Sequence, residues 1–197
     1  MGKYFSSNYK NVTYPLDSAK KRGLRNAQVG AAHAIASFFT MNSKQAAITV
    51  MPTGAGKTAV LMLTPYILSK NKVLVVTPST LVRGQIADDF KELLTLRTAN
   101  VFKEAMKRPV VFEMEHMFND EMIMALESAD VIVATPQCAL SLSETEWAVS
   151  KITLVEVDEA HHTPAKTWQQ ILINLGTATH VLFTATPFRL DKKEIKG

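Results

Sequence analysis

The stretch "AAITVMPTGAGKT", Ala46–Thr58, decides how the rest of the chain is read. Ala46–Val50 is a short apolar and β-branched run without polar alternation, the form of a strand buried on both faces. Met51–Thr58 follows, where Gly54 and Gly56 let the backbone wrap closely and turn its N–H groups toward an anion. A helix predicted over about Lys57–Ser69 then presents free donors and the positive end of its dipole to the same point. Lys57 is long enough to reach β- and γ-phosphates, and the Thr58 hydroxyl suits the shell of Mg²⁺. Strand, glycine loop (Thr53, Gly54, Ala55, Gly56) and helix together predict a nucleotide site. The common eight-residue pattern opens on glycine, and here that position is Met51.

Similar apolar runs recur at Lys72–Val76, Val131–Ala134, Ile152–Val157 and His180–Phe183, with a further short one at Pro109–Phe112. Helical spacing marks Thr80–Leu94, Glu121–Ser128 and Ala165–Asn174, and Pro65 is expected to kink or shorten the first helix. Strands alternating with helices predict an α/β fold, a mostly parallel sheet with helices on both faces. Ligands of such sheets bind beyond the carboxyl ends of the strands. The first 20 or so residues are polar and aperiodic, so residues 1–22 read as a lead-in and 23–197 as one domain.

The totals fit that plan. With 197 residues, 47% of them hydrophobic, the chain can bury a sizeable core. No apolar run approaches the ~18 residues of a membrane span, and the start lacks the pattern of a signal peptide. The single cysteine, Cys138, excludes an internal disulfide and a cysteine-rich zinc site. A soluble, intracellular, cytoplasmic protein with no membrane partner is expected. The net charge of +4 is mild. Basic clusters near Lys20–Arg25, Lys103–Arg108 and Lys192–Lys196 suit phosphate backbones, and equally suit ordinary solvated faces.

A second feature, "LVEVDEAHHT", Leu154–Thr163, sets two carboxylates and two imidazoles within five positions, Asp158 to His162. Taken alone they could bind a metal, move a proton or cap a buried strand. Zinc would need His161 and His162 to converge, and adjacent side chains diverge on a strand or a helix. Triphosphate chemistry needs a second carboxylate-bearing strand. Asp158 then falls at the ligand edge to hold Mg²⁺, and Glu159 is placed to take a proton from water. Glu156, by period-two alternation, shares a face with Leu154 and Asp158 and needs a partner if buried.

Taken together, the motifs resemble the first RecA-like domain of a superfamily-two, DEAH-type helicase or translocase, over roughly Gly23 to Arg189. "MPTGAGKT" resembles that family's motif I, "VTPSTLVRGQ" motif Ia, "ATPQ" motif Ib, "DEAH" motif II and "TATP" motif III. "LRNAQ", Leu24–Gln28, resembles the adenine-reading segment, with Gln28 as the reader. "TATPFR" and "DEAHH" look more like the type III restriction and excision-repair group than the RNA-unwinding DEAD-box group.

The resemblance implies a P-loop NTPase using ATP and Mg²⁺, with Lys57, Asp158, Glu159 and His161 catalytic. Gln28 and Thr53–Thr58 would bind the nucleotide, and Thr58 and Asp158 the metal. Thr77, Pro78, Arg83, Thr135 and Pro136 would contact nucleic acid, DNA favoured over RNA. Strand-to-helix loops of this kind offer free N–H groups to phosphates without reading bases. Thr184 and Thr186 would couple the two sites. A second RecA-like domain, with its arginine-rich motif VI, does not follow and is expected as a partner in cis or trans. Two function classes are open: an ATP-driven motor, or an ATP-dependent nucleic-acid-binding switch without unwinding.

Overall fold

The computed structural model describes residues 3–41, 45–102, 106–160 and 165–186. Six strands, β1 (Ala47–Val50), β2 (Val73–Val76), β3 (Val111–Met114), β4 (Val131–Ala134), β5 (Leu154–Val157) and β6 (Thr179–Thr184), form one sheet. Their order is β1-β6-β5-β2-β4-β3 and every pair is parallel. The predicted α/β architecture is therefore present. The run at Pro109–Phe112 enters the sheet two residues later than read. Val110 is taken up at the strand's entry: its carbonyl accepts from Asp130 and Val131, and its N–H donates to the Asp130 carboxylate at 2.9 Å.

The described helices are α1 (Tyr4–Asn8), α2 (Asn26–Met41), α3 (Lys57–Ile67), α4 (Thr80–Glu92), α5 (Leu94–Thr98), α6 (Ile123–Ser128), α7 (Pro136–Ser143), α8 (Glu146–Lys151) and α9 (Ala165–Asn174). Alternate strand residues supply two cores, as period two requires. Val73, Val75, Val133, Leu154 and Phe183 join Phe5, Ile35, Tyr66, Phe90 and Leu96 from α1 to α5. Leu74, Val76, Ile132, Val155 and Leu182 join Leu126, Leu142, Ala148 and Trp168 from α6 to α9. β2, β4 and β5 are buried along their whole length.

Helix α2 has no wide apolar stripe; of its 16 residues only Gln28, Ala32 and Ile35 are buried. Its alanines favour helix by propensity rather than by pattern. Helix α3 runs through Pro65 and ends at Ile67, earlier than read, where Ser69 turns left-handed at φ 50° and Lys70 N–H returns to the Pro65 carbonyl at 2.9 Å. The segment read as a lead-in packs on the domain. Phe5 is fully buried edge-on to Tyr66, with ring centroids 4.8 Å apart, and Thr13 N–H bonds the Val101 carbonyl at 2.7 Å.

At the amino ends of the strands, Lys72 is 2% exposed, with φ 58°. Its ammonium donates to the carbonyls of Leu126 (2.7 Å), Glu127 (2.8 Å) and Ala129, closing the end of α6. Cations suit the negative end of a helix, and this one replaces missing backbone donors.

Candidate nucleotide site

The parallel register delivers the expected residues to one edge. Met51 N–H bonds Thr184 O (2.9 Å), Asp158 N–H bonds Val76 O (2.8 Å), and Ala160 N–H bonds Phe183 O (2.9 Å). The ends of β1, β6, β5 and β2 are thereby aligned. After β1 the chain turns through Gly54 at φ 79° and Gly56 at φ 84°, and Gly56 caps α3. The left-handed φ is what asks for glycine at Gly56, and a Cβ there would also push aside the ends of the Gln28 and Arg25 side chains, 2.2 and 2.9 Å away.

At the end of β5 the backbone makes a second tight turn. Glu159 takes φ 48°, uncommon for a residue with a side chain. That turn brings its Oε1 to 2.8 Å from Lys57 Nζ, so the phosphate-loop lysine and the strand's acidic pair meet. Asp158, 9% exposed, accepts the Glu159 N–H at 3.0 Å. Burial first, then the neighbouring Glu159 charge, pushes the Asp158 carboxyl up to about 6, against the opposing pull of Lys57 and the Glu159 N–H. Two carboxylates share one lysine here, so the edge is short of positive charge. Asp158 and Thr58, the second residue of α3, carry oxygen donors of the kind a hard divalent cation would take.

Glu156 is fully buried on the same face, and neither carboxylate oxygen has a hydrogen-bond partner among the described residues. Burial pushes its carboxyl well above the ordinary range, with the nearby Asp158 charge acting the same way. Thr64 on α3 gives partial relief, although its hydroxyl proton goes to Val60 O at 2.8 Å.

Gln28 sits against the phosphate loop. Its Oε1 accepts from Arg25 N–H (2.8 Å) and its Nε2 donates to Gly56 O (3.1 Å), while the Arg25 guanidinium donates to Gly54 O. Half of the amide's capacity is thus used on the protein.

The loops after β2 and β4 carry the residues expected to meet nucleic acid. Thr77 is buried, with its hydroxyl toward the Ser79 and Ala134 carbonyls (3.4 Å each), and Ser79 caps α4 by accepting from Val82 N–H. Arg83, 8% exposed, pairs with Glu113 (3.0 Å) and Glu115 (3.6 Å) rather than facing solvent. Pro136 is buried at the start of α7, and Pro78 and Thr135 are half-buried. Thr184 is buried and its hydroxyl is closed in a turn with Thr186, donating to the Thr186 carbonyl at 2.6 Å. His161 and His162 lie outside the described residues. The sequence reading passed over Arg25 as a loop-holding side chain and Glu113 as the partner of Arg83.

No curated protein matches the chain in sequence. Solved structures match its fold. The UvsW helicase of bacteriophage T4 superposes with TM-score 0.62 at 17% identity, covering 93% of this chain and 59% of that one. A hypothetical ATP-dependent RNA helicase of Sulfolobus tokodaii gives TM-score 0.61 at 22% identity, covering 95% and 52%. The type ISP restriction-modification enzyme LlaGI, in complex with a DNA substrate mimic, gives TM-score 0.61 at 17% identity, covering 88% and 18%. The chain thus spans little more than half, or less, of each structure it resembles. Its fold is that of the RecA-like first domain of helicases, and the family described as type III restriction enzyme, res subunit, matches residues 21–189. The chain belongs to that family of helicase-like motor domains.

Proposed function

We propose that this chain is the ATP-binding domain of an ATP-dependent nucleic-acid motor, acting on DNA in preference to RNA, that hydrolyses ATP with Mg²⁺ when completed by a second RecA-like domain. The observation that carries this is the 2.8 Å pair between Lys57 and Glu159, with Asp158 beside it. It joins the phosphate loop to the acidic strand end at one sheet edge.

The chemistry follows from an exchange of partners. An incoming triphosphate takes Lys57 from Glu159, and the N–H groups of Thr53–Thr58 bind phosphate oxygens. Glu159, released, accepts the proton of the attacking water. Asp158 and Thr58 would hold the metal, which would supply neutralisation of the charge spread over the transferring phosphoryl group. His161 relays the state of the site, with Thr184 and Thr186 as the link toward the nucleic acid. Pro78, Thr135 and Pro136 shape the loops whose helix ends meet phosphates, and Thr77 and Arg83 hold those loops in place. An arginine finger is worth roughly a thousandfold or more, so the chain alone should hydrolyse ATP slowly.

Hydrolysis measured with single-stranded DNA, duplex DNA and RNA in parallel, on the chain joined to its second domain, tests the reading. Glu159→Gln should keep ATP binding and lose turnover; full turnover in that variant places the base elsewhere. A rate indifferent to all three polymers removes the nucleic-acid partner.

A further inference from the structure

Helix α4 starts at the carboxyl end of β2, and the reading above sets its first turn against nucleic-acid phosphates. Thr80 and Leu81 are exposed there, and Ser79 caps the helix by accepting from Val82 N–H at 3.3 Å. The first bond of the helix runs from Arg83 N–H to Ser79 O at 2.9 Å, so the N–H groups of Thr80 and Leu81 precede it. What a phosphate meets therefore depends on where α4 stands along its own axis.

One carboxylate sets that position. Glu113, on β3, accepts from Arg83 Nε at 3.0 Å through Oε1, and its Oε2 lies 3.8 Å from Lys91 Nζ. Arg83 stands in the first turn of α4 and Lys91 in the last, roughly two turns of helix apart. A single ion pair would fix one point of α4, whereas two at opposite ends fix its slide along β3. The Arg83 pair is well shielded, with side chains 9% and 23% exposed, and Arg83 Nη1 also donates to Met114 O at 3.4 Å. The Lys91 pair is longer and more open, and Lys91 also serves Asp88 at 2.9 Å, so it is the weaker strap.

Glu113 has nothing of its own to offer a polyanion. Its charge repels phosphate, and removing it would free two cations beside the site. Electrostatics alone therefore predicts tighter nucleic-acid binding without Glu113, and a positioning role predicts the opposite sign.

We propose that Glu113 is a positioning residue of the nucleic-acid face, holding the first turn of α4 in place for phosphates through Arg83 and, secondarily, Lys91. The proposal rests on the nucleic-acid reading above. It adds to the motif loops a residue of β3 that lies 30 positions from Arg83 in sequence.

ATP hydrolysis by the chain joined to its second domain, titrated with single-stranded DNA, tests it. Glu113→Ala should raise the DNA concentration for half-maximal stimulation roughly fivefold, with kcat at saturating DNA and KM for ATP within about twofold. A rise below about threefold, or tighter DNA binding, overturns the positioning role and leaves the nucleotide site standing. An equal loss in KM for ATP or in kcat assigns Glu113 to general stability and overturns it too. Hydrolysis by the parent protein that DNA and RNA alike leave unchanged removes the nucleic-acid reading and the proposal with it. Should Glu113→Ala not fold, Glu113→Gln decides, since it keeps an acceptor for Arg83 and loses the charge that holds Lys91. A rise of about twofold or more confined to DNA then supports the proposal, and a smaller change or a fall overturns it.

Discussion

Two lysines lie almost out of solvent at opposite edges of the same sheet, and they are held in opposite ways. Lys72, at the amino ends, gives its protons to three carbonyls that cannot move without unwinding α6. Burial draws its pKa below the usual lysine value, and Glu127 and Asp130 pull it back. Lys57, at the carboxyl ends, has a side chain 10% exposed and meets one carboxylate on a flexible stem. A cation held by backbone is part of the fold, whereas one held by a side chain can change partners. Both edges carry a left-handed side-chain residue, Glu159 at the site and Lys72 opposite, but only at the site do two carboxylates crowd one lysine, with Asp158 raised.

The largest effect expected is at the fold end. Lys72→Met strands three carbonyls and should cost about 4 kcal/mol in denaturant unfolding, with ATP affinity within twofold. A stable Lys72→Met protein with impaired ATP binding would break the contrast between the lysines. Lys57→Ala should do the reverse. ATP affinity falls about a hundredfold, roughly 3 kcal/mol for a lost charged contact, while the melting temperature hardly moves.

The imbalance at the site edge makes a pH prediction. The Asp158 carboxyl titrates near 6 in the fold against an ordinary 3.8, so between those values the native state holds a proton that the unfolded chain has released. Its stabilising contribution is complete below about pH 4 and lost as pH rises through about 6, some 2 kcal/mol after relaxation. Glu156 acts in the same direction. Unfolding of nucleotide-free protein across pH 4 to 8 reads this, and Asp158→Asn should flatten the profile. Stability that rises over the same window would mean that the carboxylates are well paired. The smallest change is Glu156→Leu, which replaces a buried, unbonded carboxyl and should stabilise by about 1 kcal/mol at pH 8.

Much of the site was legible because its signals are local. Gly54, Gly56, Lys57 and Thr58 act within one turn, and a backbone that must take positive φ or approach an anion restricts residue type directly. The strands were legible because burial on both faces demands continuous apolar runs. Helix α2 escaped that logic, being rich in alanine and packed on α3 through a narrow strip that includes Ile35, Val29 and Phe39. Arg83 was read as a cation for nucleic acid, and its partners, Glu113 on β3 and Glu115 just after it, lie about 30 residues away in sequence.

By itself, then, the sequence determined the run of strands along the chain, the glycine turn of the phosphate loop and the acidic pair at the end of β5, since each depends on neighbours within a few residues. Only the tertiary structure decided which charges face one another: Lys57 with Glu159, Arg83 with Glu113, Lys72 with the end of α6, and Glu156 with no hydrogen-bond partner among the described residues. Electrostatic partnership depends on distance and burial in space, which strand order and register set and which no local pattern encodes.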